Sequence, residues 1–323
     1  MAPCFGGCRR LAEVPRVLAL AGGVGGSKLA QGLHQHLAGN LTVIINTGDD
    51  ATMWGLRICP DMDTVRYTLA GLAHAEHGWG LEGDTFQALD ALARFELDTW
   101  FRIGDRDLAT SLARTHFLRQ GLRLTQVEAR LSRGCGVQAQ LLPMCDAPVA
   151  TKVRTAEGEL DFQDYFVRLG HRDEVRSVAF SGIEAATISP EVQAGLASAH
   201  VVLLCPSNPV VSVGPILAVP GLRARLATAG RQRIAVSPIV GGQAVSGPAG
   251  QMMQALGFEV SVLGLARMYG DILTGMVVDT ADAAQQPALE ALGLRVLVTD
   301  TLMPSANERG RLAQEILAWA EAA

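Results

Sequence analysis

The stretch RVLALAGGVGGSKLAQGL, residues 16–33, decides the fold. Residues 16–21 form an apolar run, the pattern of a strand that is buried on both faces. Glycines follow at positions 22, 23, 25 and 26, and leucines then recur at 29, 33 and 37, which predicts an amphipathic helix. A second strand-like run, LTVIIN, occupies residues 41–46. The order strand, glycine turn, helix, strand predicts a βαβ unit.

The alternation of strands and helices resumes after an interruption. Residues from about 60 to 136 have apolar residues at helical spacing and are predicted as a helical insert. A β-like pattern follows over 138–180, with VATKVRT (149–155) and YFVRL (165–169) as strands. We therefore predict an α/β fold: a doubly wound, mostly parallel Rossmann-like sheet with a helical insert and a small β-rich segment. Further strands of this sheet are predicted at 201–205, 233–237 and 294–300.

Length and composition bound the function. The predicted domain spans residues 16–323, and residues 1–15 are expected to be an N-terminal extension. A net charge of −5 argues against broad nucleic-acid binding, which needs a basic face. We find neither a secretory leader nor an apolar run long enough to span a membrane. The six cysteines are scattered, which is typical of reduced thiols in a cytoplasmic protein, and a homodimer is the expected assembly.

The glycine turn matches neither standard nucleotide fingerprint. A P-loop has glycine directly before its lysine, where this chain has Ser27 before Lys28, and the dinucleotide pattern has a third glycine where Lys28 stands. The glycines still let backbone N–H groups approach an anion at the positive end of the helix. We predict a phosphate site that includes Gly23, Gly25, Gly26 and Lys28; a tight turn without a ligand is the alternative.

Acidic residues follow the second strand. NTGDD (46–50) contains Asp49 and Asp50, and CPDMDT (59–64) contains Asp61 and Asp63. Grouped carboxylates of this kind suit Mg²⁺, which usually takes one or two carboxylates together with substrate phosphates. The alternative is that Asp61 or Asp63 caps the helix that follows.

Two later loops carry further candidates. GDRDLAT (104–110), with Arg102 before it, is either a helix start with its usual acidic first turn or a loop that faces substrate. CPSNPVVSVGPIL (205–217) follows a predicted strand and offers Ser207 and Asn208. Because ligands bind at the carboxyl ends of strands in open α/β sheets, this loop is predicted to bind an anion or a base.

The chain resembles the 2-phospho-L-lactate transferase family (CofD/FbiA type) of coenzyme F-420 biosynthesis. The resemblance covers about residues 17–305 and rests on seven stretches that occur in the same order: AGGVGGSKLAQGL, INTGDD, CPDMDTVRYTLAG, GWGLEGDTF, WFRIGDRDLATSL, CPSNPVVSVGPILAVPGLR and SPIVGG. GDRDLAT and SNPVVSVGPIL together are highly specific. The related YvcK-like family has a glycine and serines after its two aspartates, whereas this chain has Ala51, Thr52 and Met53. This difference favours the transferase branch.

The resemblance implies a Mg²⁺-dependent transferase. Its members move a phospholactyl, phosphoenolpyruvyl or phosphoglyceryl group from a guanosine diphosphate conjugate to the ribityl hydroxyl of the deazaflavin Fo (7,8-didemethyl-8-hydroxy-5-deazariboflavin), and release GMP. It implies Asp49, Asp61 and Asp63 as metal ligands, and Asp63 and Arg102 as contacts of the deazaflavin.

The resemblance also implies that the glycine turn and Ser207, Asn208 and Pro209 face the guanosine diphosphate. Either Asp49 or Asp50 would take the hydroxyl proton, and the sequence does not choose between them. One alternative function is a non-catalytic regulator of the YvcK-like type that binds a nucleotide or nucleotide sugar. An NAD-linked dehydrogenase is disfavoured because the third glycine is missing.

Overall fold

The structure is a computed structural model that describes residues 14–322. The predicted N-terminal extension lies almost entirely outside the described residues, as do Cys4 and Cys8. The strands of the described part are β1 (Val17–Ala21), β2 (Leu41–Ile45), β3 (Ala51–Met53), β4 (Leu56–Ile58), β5 (Gln140–Pro143), β6 (Ala150–Arg154), β7 (Glu159–Asp161), β8 (Ser177–Ser181), β9 (Val201–Leu204), β10 (Gln232–Val236), β11 (Ile239–Val240), β12 (Gln243–Ala244), β13 (Gly275–Asp279) and β14 (Arg295–Thr299). The α-helices are α1 (Gly23–Leu37), α2 (Pro60–Leu69), α3 (Gln87–Arg94), α4 (Asp105–Arg119), α5 (Leu124–Gly134), α6 (Pro190–Ser198), α7 (Val213–Ala218), α8 (Leu222–Leu226), α9 (Ala249–Ala255), α10 (Val262–Tyr269), α11 (Gln286–Glu290) and α12 (Ala306–Glu321).

A seven-stranded parallel sheet occupies the centre, in the order β14-β13-β10-β9-β1-β2-β5. Side chains alternate along β1, so that Leu18 and Leu20 enter one hydrophobic core while Val17, Ala19 and Ala21 enter a second core on the opposite face. The predicted doubly wound, parallel Rossmann-like sheet is confirmed. Its strand order reverses between β1 and β9, so the carboxyl ends of β1, β2 and β9 meet where ligands bind in such sheets.

The predicted strands that begin the βαβ unit, and those near 201, 233 and 294, are all present. Two sheet strands, β5 and β13, were missed. β5 is a four-residue edge strand that ends in proline, and β13 begins with glycine; both residues weaken a strand pattern. The predicted strand YFVRL is wrong: Asp164–Arg168 is a short helical turn. Aromatic residues at a spacing of four explain the difference, because the ring of Phe166 in this turn stacks on that of Phe162 just before it, with ring centres 5.4 Å apart.

The β-rich segment consists of a three-stranded antiparallel sheet in the order β7-β6-β8. Between β2 and β5 the chain forms the β3–β4 hairpin and then helices α2 to α5, which occupy the range predicted as a helical insert. Helices α1 and α12 cross in close contact, since a Cβ atom on Gly32 would lie 2.0 Å from the carbonyl oxygen of Arg309. Within residues 14–322, no helix has the length and apolar character needed to cross a lipid bilayer.

Candidate active site

The glycine turn contacts the loop that follows β9. The Gly22 N–H donates to Ser207 Oγ at 3.1 Å. A Cβ atom on Gly25 would lie 2.4 Å from the Pro206 carbonyl oxygen, and one on Gly26 would lie 2.2 Å from Ser207 Oγ. In the structure Gly25 and Gly26 belong to the first turn of α1 and not to a loop before it. They therefore allow the start of α1 and the loop after β9 to approach each other. The two stretches predicted to hold one ligand do lie side by side.

An aspartate from α2 occupies the first free amide of α1. The Gly23 N–H donates to Asp61 Oδ1 at 2.8 Å, and Asn46 Nδ2 donates to Asp61 Oδ2 at 2.9 Å and to the Val211 carbonyl at 3.1 Å. Asn46 thus ties together the loops after β2 and β9 and the start of α2. Asp61 does not cap its own helix, because the residue at that position is Cys59, which makes no side-chain cap bond.

Two buried carboxylates, those of Asp49 and Asp61, lie beside each other at this edge. Burial and the neighbouring Asp61 charge raise the pKa of Asp49, and burial raises the pKa of Asp61 to about 6. Asp49 Oδ1 is buried and has no hydrogen-bond partner. An oxygen pair of this kind fits a divalent cation that takes its other ligands from phosphate and water. No group of three or more His, Cys, Asp or Glu side chains arranged for a metal occurs in the described part of the chain.

Asp63 lies in a different cluster. Two fully buried guanidinium groups, from Arg66 and Arg114, both donate to Asp63 Oδ1, and Arg66 also donates to Glu128 at 2.6 and 2.8 Å. Residues two apart on a helix point about 200° away from each other, so Asp63 and Asp61 face opposite sides of α2. The structure therefore brings Asp49 and Asp61 together without Asp63, whose roles in binding metal and deazaflavin stay predictions.

A cavity of about 900 Å³ opens next to the carboxylates. Its wall includes Asp49, Asp50 and Phe162. It also includes Trp54 from the β3–β4 hairpin, and Trp100 and Phe101 from the segment before α4. The sequence prediction missed these aromatic residues, although Trp100 and Phe101 stand in the stretch WFRIGDRDLATSL. The wall also carries polar and charged side chains, among them Arg57, Asp98 and Arg168. A cavity that combines aromatic side chains with convergent polar groups is typical of a site for a small organic ligand.

Comparisons with known proteins identify the family. The family model described as 2-phospho-L-lactate transferase CofD matches residues 17–302. The chain belongs to this family. It is 39% identical over 302 residues to the 2-phospho-L-lactate transferase of Methanosarcina mazei, a match that covers 93% of this chain and 99% of the relative. It is 41% identical over 313 residues to the phosphoenolpyruvate transferase of Streptomyces griseus, covering 95% and 98%.

The resemblance stated from the motifs is confirmed by these matches. Family membership makes the chain a transferase of coenzyme F-420 biosynthesis. Among solved structures, protein BH3568 from Bacillus halodurans is similar with a TM-score of 0.63 at 17% identity, over 94% of this chain and 99% of that one. At that identity the likeness shows the shared fold.

Asp50, next to Asp49, also lies in the wall of the transferase's cavity. Its Oδ2 accepts from Arg57 Nη2 at 2.9 Å, from Arg57 Nε at 3.2 Å and from Cys59 Sγ at 3.0 Å, whereas its Oδ1 is buried without a partner. Burial raises the pKa of Asp50 to about 6, and the charge of Arg57 opposes this rise. One oxygen is therefore held in place while the other has no hydrogen-bond partner.

Two aspartates fix the loops before α3 and α4 by hydrogen bonds to the first amides of these helices. Asp84 accepts from the N–H groups of Arg106 at 3.0 Å and Asp107 at 3.1 Å, and so caps α4 from outside. Asp105 accepts from the Ala88 N–H at 2.8 Å and holds the start of α3. Arg102 stacks on a phenylalanine ring, with its guanidinium carbon 4.3 Å from the ring centre, and does not line the cavity. Its contact with deazaflavin stays a prediction.

The remaining predicted donor-site residues lie on α1 and in the loop after β9. Asn208 Oδ1 accepts from the N–H groups of Val210 at 2.9 Å and Val211 at 3.3 Å, which shapes the loop after β9. Lys28 lies half-buried on α1. Ser207 is buried beside the start of α1, and Pro209 lies between Asn208 and Val210 in the loop after β9. Binding of guanosine diphosphate by these residues stays a prediction.

Proposed function

We propose that this transferase moves a phospho-acid group from a guanosine diphosphate conjugate to the ribityl hydroxyl of Fo, with release of GMP. One observation carries the proposal: the buried pair Asp49 and Asp61 lies between a glycine turn and an aromatic cavity. Asp61 contacts the turn through Gly23, and Asp49 forms part of the cavity wall. A diphosphate at the turn and an acceptor in the cavity would meet at these carboxylates.

Mg²⁺ is the proposed cofactor, with Asp49 and Asp61 as its protein ligands. The unpartnered Asp49 oxygen and the raised pKa of both carboxyl groups support this choice, because a cation removes the cost of two neighbouring negative charges. When bound, Mg²⁺ would offset negative charge on the diphosphate and on the departing GMP.

The chain's own residues position the acceptor and take its proton. Trp54, Trp100 and Phe101 offer faces on which a flat deazaflavin ring can pack. The acceptor hydroxyl oxygen attacks the phosphorus next to the acid, and the bond from that phosphorus to the bridging oxygen of GMP breaks. We assign Asp50 Oδ1 as the acceptor of the hydroxyl proton, because Asp50 forms part of the cavity wall, Oδ1 has no hydrogen-bond partner, and burial raises the pKa of this carboxyl group to about 6. Asp49 is then left for the cation.

The acid that is attached to the guanosine diphosphate of the donor is one of three: lactate, enolpyruvate or glycerate, each as its phospho-acid. The relatives named above carry two different donor names at similar identity, 39% and 41%. Lactyl, enolpyruvyl and glyceryl conjugates are therefore all tested together. The protein is incubated with Fo, Mg²⁺ and a mixture of the three donors, GMP is measured by chromatography, and the product is identified by mass spectrometry.

GMP release with a new phosphodiester of Fo is the expected result. Binding of a nucleotide without use of Fo would contradict the proposal and support a non-catalytic regulator.

We also propose a cytoplasmic homodimer. The free thiols of Cys59, Cys135, Cys145 and Cys205 support a reducing compartment, and sedimentation equilibrium measures the assembly.

A further inference from the structure

Two cations without a counter-charge lie where α1 and α12 are in contact. Arg309 contacts Gln31 and Gly32, which follow Lys28 by about one turn of α1. Lys28 lies on the second turn of α1 and Arg309 on the first turn of α12, and both are half-buried. Within residues 14–322, no carboxylate lies within 4.0 Å of either side chain. Arg311, two residues further along α12, differs in this respect because it pairs with Glu308 and Glu315.

The position of Arg309 is determined by packing. The backbone of α12 touches α1 at Gly32, so the Arg309 side chain runs along α1. Its Nη1 donates to Gln31 Oε1 at 2.5 Å, and Gln31 Nε2 in turn donates to the Thr68 carbonyl at 2.7 Å. Arg309 Nε is buried and has no hydrogen-bond partner. The guanidinium group is thus oriented while one of its donors is left unused.

This arrangement is costly unless an anion is bound. Burial and the charge of Arg309 lower the pKa of Lys28, and burial lowers the pKa of Arg309. A buried donor without an acceptor and two uncompensated like charges both oppose folding. The amino ends of α1 and α12 add positive potential on the same side of the sheet. A phosphate group would satisfy all of these features at once.

We propose that Lys28 and Arg309 together form an anion site between α1 and α12 that binds a phosphate group of the donor nucleotide. The nucleotide part of this inference rests on the proposed function. Arg309 lies beyond residues 17–302, the part matched by the family model. In this proposal the C-terminal helix α12 contributes a residue to the donor site. Arginine suits this place because its planar group can meet two phosphate oxygens.

The test is isothermal titration of GDP and of inorganic pyrophosphate into the wild type, Arg309→Gln and Lys28→Gln. Loss of one charge-assisted contact is expected to raise the Kd of both ligands by about tenfold or more in each variant. Arg309→Lys is expected to restore part of the affinity. Arg311→Gln removes a cation of the same helix from outside the site and is expected to leave both Kd values unchanged.

The inference is overturned if either variant binds GDP and pyrophosphate like the wild type. If Arg309→Gln does not fold, Lys28→Gln decides the question alone, since no hydrogen bond of the described structure depends on the Lys28 amine. A wild type that binds pyrophosphate through both residues but does not bind GDP would refute the nucleotide donor and support the anion site. If the wild type releases GMP normally and both variants keep the wild-type Kd values, the anion site alone is refuted.

Discussion

Replacing Arg57 by glutamine tests the assignment of the general base. Arg57 holds Asp50 Oδ2 through Nη2 at 2.9 Å and Nε at 3.2 Å, and its charge lowers a pKa that burial raises to about 6. Glutamine keeps much of the side chain but removes the charge. An opposite charge at contact distance lowers a carboxyl pKa by about 1 to 3 pH units, so its removal is expected to raise the pKa of Asp50 by that amount.

The sign of the effect on activity follows from the role of the base. Asp50 accepts a proton only when ionised, and a higher pKa reduces its ionised fraction at a given pH. Near pH 6 that fraction falls from about one half in the wild type to about one tenth or less in the variant. We therefore expect kcat/KM to fall at least about fivefold near pH 6 and to recover towards about pH 9.

The assay is the initial rate of GMP release from about pH 5 to 9 with saturating donor and Mg²⁺. Arg119→Gln is the control, because Arg119 is exposed and donates only to the Gly55 carbonyl of the neighbouring hairpin, at 3.2 Å. It is expected to keep the wild-type profile. A uniform loss of rate in Arg57→Gln at every pH, with no shift of the acidic limb to higher pH, would refute Asp50 as the base whose pKa Arg57 controls.

Three further changes test other parts of the structure. Asp63→Asn leaves two buried guanidinium groups without their shared carboxylate and is expected to cost about 3–5 kcal/mol in urea unfolding; a loss below about 1 kcal/mol would contradict the ion-pair cluster. Gly25→Ala pushes against the Pro206 backbone and is expected to cost about 1–3 kcal/mol and to weaken GDP binding, whereas the helical control Gly134→Ala meets nothing within 4 Å and should stabilise the protein. Trp100→Ala is expected to raise the KM for Fo about tenfold with donor KM unchanged, and an unchanged Fo KM would exclude the cavity as the acceptor site.

Local patterns of apolar residues predicted most of the fold. The alternation of buried strands and amphipathic helices is a short-range property, so β1, β2 and the end of α1 could be predicted within one residue or two. The start of α1 was not, because α1 begins at Gly23, inside the stretch predicted as a glycine turn. β5 and β13 were missed since proline and glycine weaken their patterns. YFVRL was assigned wrongly because β-branched and aromatic residues also suit a helical turn when their spacing stacks Phe162 on Phe166.

The candidate site, like the fold, has features that local sequence predicts and features that only the tertiary structure decides. The sequence alone determined the strand–glycine–helix unit, the acidic stretches and the family, because each of these depends on residues that are near one another in the chain. Only the tertiary structure decided which groups meet. The turn of α2 places Asp61 beside Asp49 and turns Asp63 towards buried arginines, and the crossing of α1 and α12 brings Arg309 to Lys28. Such meetings depend on the packing of distant segments, which no local pattern encodes.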